Sequence, residues 1–147
     1  MSRLPSRPPP RRPGSVLRRP QTAPTLDTIA ALAEDALTEI PPELRQLAEG
    51  VVIRVDDFPD DATIEEMELE GPFDLLGLYV GVPFGHADGA TSRSEGDMIF
   101  LYRRPILDYW CETGEDLAHL VRHVLIHEIG HHFGLSDDDM EAIEDAS

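Results

Sequence analysis

Residues 127–137 read His-Glu-Ile-Gly-His-His-Phe-Gly-Leu-Ser-Asp, and the rest of the chain is best read outward from them. His127 and His131 are four residues apart. On an α-helix that spacing puts both imidazoles on one face, one turn apart, with Cβ atoms about 5–6 Å from each other. Two neutral ring nitrogens at that separation can close on one zinc ion at about 2.0–2.1 Å each. Glu128 projects beside that face, about 100° around the helix, close enough for its carboxylate to reach a water on the metal without ligating it. Gly134 stands three residues after His131, where a left-handed residue can end a helix. Asp137 lies three further on, where a chain that has turned back can offer a third ligand.

The spacing is HExxHxxGxxD. HExxH is the arrangement of zinc metallopeptidases, in which two His hold the ion and the Glu is the general base. The longer pattern resembles that of the metzincins, with Asp at the position of the third His. In a chain of this composition HExxH arises by chance in roughly 2% of shuffles. The correctly spaced Gly and carboxylate lower that further, as does the helical run Leu117–Phe133 around the motif.

Composition bounds the alternatives. A chain of 147 residues suits one domain with a single modest core. It has 29 acids against 12 bases, and every base is Arg. Six of the Arg lie in residues 1–25, which hold seven Pro and no acid. Six Arg against all 29 acids leave residues 26–147 at −23. A body this acidic repels nucleic acid and anionic membrane surfaces, so neither is expected as a partner. Residues 1–25 read as a disordered, Arg/Pro-rich tail, partly polyproline II. Such a tail suits an acidic partner, a proline-recognition module or the chain's own acidic body; its plain reading is a solvated extension. It contains no apolar h-region of the about 7–15 residues a secretory signal needs. No run approaches the ~20 apolar residues of a transmembrane helix. A single cysteine, Cys111, forms no internal disulfide and fits a reducing cytoplasm, which is the expected location. Cys111 itself reads as a buried or half-buried small hydrophobe.

The body opens at Thr25-Leu26-Asp27. Ile29, Leu32, Ala33, Ala36, Leu37 and Ile40 recur at helical spacing, which predicts an amphipathic helix over about 27–39, capped by Thr25 or Asp27. Pro41-Pro42 stops it, and 43–49 can add a turn or two. Val51–Val55 reads as a strand, 56–72 as an acidic loop with a short helix near 62–68, and Leu75–Val82 as a second strand broken by glycines. A polar loop over 83–95 leads to a third strand over Asp97–Tyr102, with Met98-Ile99-Phe100-Leu101-Tyr102 as its apolar run. Pro105 can open a short helix through Cys111. Thr113 can cap the long helix, with Asp116 as its capping-box acid. Leu117, Leu120, Val121, Val124, Leu125, Ile129 and Phe133 supply the core face of that helix. Ser136–Asp139 opens a closing helix through about Ala146.

The body resembles the small bacterial zincin-like metallopeptidases, a minimal version of the zincin fold. The stretches that carry the likeness are Asp74–Tyr79 with Gly81-Val82-Pro83, then Ile99–Leu107, then Val124–Asp137. The resemblance as a whole covers nearly all of 26–147 and leaves 1–25 outside. The resemblance implies an α+β fold, in which a small mixed sheet packs on the first helix and on the HExxH helix. It also implies Zn2+ held by His127 and His131, with Asp137 in the third-ligand position. No separate Met-turn follows; Met140 comes nine residues after His131, inside the expected closing helix.

Asp137 has a second reading as a first-turn acid, since three successive acids after Ser136 suit any helix N-terminus. His132 and Asp138 are the reserve ligands. His119 and His123 continue the four-residue ladder but drift about 40° per step, and they read as core or supporting groups. Tyr79, Tyr102 and His86 can each serve an oxyanion. The expected activity is hydrolysis of a peptide or protein substrate through a metal-bound water, whose pKa falls from 15.7 toward ~7 and whose proton goes to Glu128. Two other classes fit the same residues: a non-catalytic fold stabilised by metal, and a protein-interaction module with a vestigial HExxH site. For substrate, Ile99, Phe100, Leu101 and Tyr102 are expected to form an edge strand that pairs with an extended peptide. Asp137, as a ligand, is expected within about 4 Å of a nitrogen on both His127 and His131.

Overall fold

The computed structural model describes residues 22–81 and 96–146. Most of the tail and the loop reading of 83–95, with His86, lie outside the described residues. The elements run α1 Leu26–Glu39, α2 Pro42–Leu47, β1 Val52–Asp56, α3 Asp61–Glu66, β2 Gly77–Val80, β3 Met98–Tyr102, α4 Arg103–Thr113, α5 Leu117–His132 and α6 Asp137–Ala146. Among the described residues no helix is long and apolar enough to cross a membrane.

The architecture is α+β, with a small mixed sheet of order β1-β3-β2. β1 pairs with β3 in parallel, Val52 opposite Met98 through Asp56 opposite Tyr102. β2 pairs with β3 antiparallel, Gly77 opposite Leu101 through Val80 opposite Met98. Helices α1 and α5 pack on each other and against the sheet, α1 at β1 and α5 at β2. Alternate β3 residues Ile99 and Leu101 are buried in that layer with Ile29 and Ala33 from α1 and Leu125 and Ile129 from α5. Burying branched side chains of this size is worth about 1.5–3 kcal/mol each, so the helix pair and β3 together carry most of the core.

The expectation that Ile99–Tyr102 forms an edge strand is overturned: β3 is central and paired on both sides. The run Met-Ile-Phe-Leu-Tyr also lacks the Pro or charged residues that guard an exposed strand edge. Its ladder groups are spent inside the sheet, and even the Tyr102 N–H just past β2 goes to the Leu76 carbonyl at 2.9 Å. Ile99, Phe100, Leu101 and Tyr102 therefore offer no free edge to a peptide. The edges are β1 and β2.

Local expectations fare better. Thr25 caps α1, its Oγ1 accepting the Thr28 N–H at 3.1 Å. The cap of α5 is Asp116 rather than Thr113, with Oδ2 accepting the His119 N–H at 3.0 Å. Thr113 instead closes α4, and Gly114 at φ 71° separates the two helices. Cys111 is exposed, not buried.

Candidate metal centre

The motif helix ends where the glycine predicts. Gly134 takes φ 81°, a left-handed conformation that costs a residue without Cβ little. The Leu135 N–H returns to the Gly130 carbonyl at 2.8 Å and the Gly134 N–H to the His131 carbonyl at 3.2 Å. This paired closure is a Schellman motif. The chain then reverses, and Ser136 starts α6. Ser136 Oγ accepts the Asp139 N–H at 3.1 Å, and Asp139 Oδ2 accepts the Ser136 N–H at 3.3 Å. That reciprocal cap fixes Asp137 at the first position of α6, beside the last turn of α5.

Asp137 is thus both first-turn acid and neighbour of the histidines. Its Oδ1 lies 3.4 Å from His131 Nε2. One ligating atom from each of His127, His131 and Asp137 falls within 4.8 Å of the others. The expected approach of about 4 Å is met at His131 and not at His127, which Asp137 reaches only within the wider 4.8 Å. Two imidazoles and a carboxylate suit zinc as a donor set, and three protein ligands leave a position open. The group is open to solvent, with the Asp137 side chain 87% exposed. Burial, and then the neighbouring His123, hold the His127 imidazole below its usual pKa, which keeps it neutral and ready to ligate.

Glu128 points toward the sheet edge. Its Oε1 accepts the backbone N–H of Tyr79 on β2 at 3.2 Å. Burial raises its pKa, opposed by that hydrogen bond and then by the nearby His131. β2 comes close enough because Gly77 has no side chain: a Cβ there would meet Val124 Cγ1 at 2.8 Å. The Tyr79 hydroxyl is engaged elsewhere, donating to Asp97 Oδ2 at 2.7 Å in the core. Its ring stacks on His132 with centroids 3.9 Å apart. His132 is therefore a packing partner of β2, and neither it nor Asp138 belongs to a ligand group among the described residues. Tyr102 is buried, and its hydroxyl is pushed up to about 12 by burial first and then by Asp60, Asp56 and Glu128, so it keeps its proton.

Met140, expected in the closing helix, is fully buried there, against Gly130 of the motif helix. It anchors α6 to α5. One functional candidate escaped the sequence. Glu144, seven residues after Asp137, sets Oε1 2.6 Å from His123 Nδ1 and 3.7 Å from His127 Nε2. The signal was present as a second acid two turns along α6, but ten other acids crowd residues 107–147.

No curated protein matches the chain. Among solved structures it is similar to a conserved hypothetical protein from Thermo thermophilus, at 24% identity and a TM-score of 0.48, over 74% of this chain and 94% of that one. The family model described as zincin-like metallopeptidase matches residues 48–146, more than half of the chain and the part that contains the sheet and helices α5 and α6. The chain belongs to the zincin-like metallopeptidase family.

Proposed function

We propose that the chain is a zinc-dependent peptidase that hydrolyses peptide bonds, with His127, His131 and Asp137 as metal ligands and Glu128 as general base. The observation that supports this best is the convergence of the three ligating atoms within 4.8 Å beside a carboxylate held by the sheet edge. What zinc supplies in such a place is Lewis acidity toward a water and toward the scissile carbonyl.

The chain's own residues supply the rest. Tyr79 N–H fixes Oε1 of Glu128, which leaves Oε2 to take a proton from the attacking water and return it to the leaving amine. Its raised pKa brings the carboxylate closer to working pH, where a proton carrier is most effective. An extended substrate would meet the edge strand β2 rather than the central β3. β2 is an edge strand, and its Tyr79 N–H already turns outward to Glu128. Pairing there would lay the peptide alongside the base, in the manner of β-strand addition.

Release of a fluorophore from a quenched peptide, followed with zinc content, tests this reading. Chelation is expected to stop release and zinc to restore it. Release that persists unchanged in metal-free protein would contradict it.

A further inference from the structure

Helix α6 runs back along α5, and it brings two carboxylates against three histidines. His123, His127 and His131 recur every four residues on α5, spanning about 12 Å at 1.5 Å per residue. Asp137 and Glu144 are seven apart on α6, two turns and about 10.5 Å, so they share a face and match that span. Asp137 meets the 127/131 turn, and Glu144 meets the 123/127 turn.

We propose that His123, His127 and Glu144 form a second position for a divalent transition-metal cation of the zinc class, exclusive of the first because both need His127. The ligating atoms of this group also lie within 4.8 Å of one another. Glu144 Oε1 is 2.6 Å from His123 Nδ1 and 3.7 Å from His127 Nε2. Donors about 2 Å from a tetrahedral ion stand about 3.3 Å apart, between those two distances. The His123 and His127 rings are 4.1 Å apart by centroid and tilted by 34°. Glu144 is better shielded than Asp137, its side chain 17% exposed against 87%. Arg122 Nη2 donates to the Glu144 carbonyl at 3.4 Å, which ties this end of α6 to α5.

Exclusivity follows from the imidazole. A neutral ring offers one lone pair, since its other nitrogen carries the proton. His127 can therefore serve the ion beside Asp137 or the ion beside Glu144. Both positions share His127, so they lie close together, one displaced toward His131 and the other toward His123. Glu128 flanks the 127/131 turn, so an ion drawn toward His123 and Glu144 stands farther from the base and is less effective in hydrolysis. The protein would bind one zinc and divide it between an active and a parked position.

The inference rests on the reading of His127, His131 and Asp137 as the first site, and zinc calorimetry with the visible spectrum of bound Co2+ separates the two. The protein as it stands is expected to bind one zinc. Asp137→Ala is expected to keep one zinc with affinity within about tenfold and a changed Co2+ spectrum, while Asp137→Ala with Glu144→Gln loses at least about 100-fold. Glu144→Gln alone is expected to keep one zinc and to raise turnover per bound ion. If Asp137→Ala loses zinc as completely as the double variant, the parked position is overturned and the first site stands. If Asp137→Ala leaves affinity and Co2+ spectrum unchanged while Glu144→Gln abolishes binding, the first site falls and the Glu144 site stands. Two zinc ions bound at once overturn the exclusivity, and a protein that binds none overturns both readings. Both substitutions sit on side chains outside the buried core, and circular dichroism confirms folding before each titration.

Discussion

The backbone N–H of Tyr79 reaches Glu128 Oε1 at 3.2 Å, so the sheet edge is joined to the motif helix at the proposed base itself. The contact needs β2 to lie close against α5, and Gly77 is what permits it. A Cβ at Gly77 would stand 2.8 Å from Val124 Cγ1 and 3.1 Å from the Phe100 carbonyl oxygen. Val124 is stiff at χ1 and buried, so it cannot step aside cheaply. Gly77→Ala is expected to cost about 1–3 kcal/mol by overpacking, although Ala ordinarily suits a strand better than Gly. Denaturant unfolding measures it; unchanged or increased stability would show that β2 and α5 are not in close register.

Gly130 plays the matching part on the other side of α5. A Cβ there would meet Met140, with Cγ at 2.8 Å, and Met140 is fully buried. In an exposed helix Gly→Ala stabilises by about 1 kcal/mol. Gly130→Ala is expected to do the reverse, lowering stability by about 1–3 kcal/mol as α6 is pushed outward. Because Asp137 and Glu144 both ride on α6, zinc affinity is expected to fall with it. A stabilised variant with full affinity would contradict the packing described.

Glu128 links the site to pH-dependent stability. Burial raises its folded pKa above the ordinary value of 4.5, so the folded state binds the proton more tightly than the unfolded chain. The burden of ionising Glu128 is therefore absent at low pH, grows as pH rises from the unfolded value through the raised folded value, and is full above it. Glu128→Gln removes that burden. In metal-free protein it is expected to raise Tm at neutral pH, with the gain shrinking as pH is lowered through the raised pKa. A gain independent of pH, or a loss at neutral pH, would mean that burial does not oppose the charge.

The boundary of the body can be tested by truncation. Thr25 Oγ1 caps α1, and the Pro24 carbonyl accepts Arg103 Nε at 2.7 Å. Deletion of residues 1–25 as a unit would remove both contacts. Removing residues 1–21 is expected to leave Tm nearly unchanged, since that segment lacks core-forming residues, whereas removing 1–25 is expected to cost about 0.5–2 kcal/mol from the lost cap. Equal melting of the two truncated chains would show that the cap contributes nothing.

Much of this is legible in the sequence because it is local. The four-residue step from His127 to His131, the left-handed Gly134 and the Ser136 cap each act within a turn or two, and each is where the spacing puts it. The helix and strand assignments rest on periodicities that backbone geometry fixes. What the sequence misplaces depends on which elements lie side by side. Ile99–Tyr102 reads as an edge because it leads into the site, yet strand order follows from a long-range parallel pairing with β1. Asp116 reads as the partner of a Thr113 cap, but Gly114 moves the helix start on to Asp116 itself. The Tyr79 contact to Glu128 uses a main-chain donor, which no residue type announces. Glu144 is one acid among many until α6 folds back on His123.

The central claim is tested most directly by Glu128→Gln, with zinc content and peptide release measured on the same preparation. Gln keeps the side-chain shape and leaves His127, His131 and Asp137 in place. The account predicts one zinc per chain, as in the unaltered protein, and peptide release reduced by about 10²–10⁴-fold through loss of the general base. Undiminished release from zinc-loaded Glu128→Gln protein would contradict it.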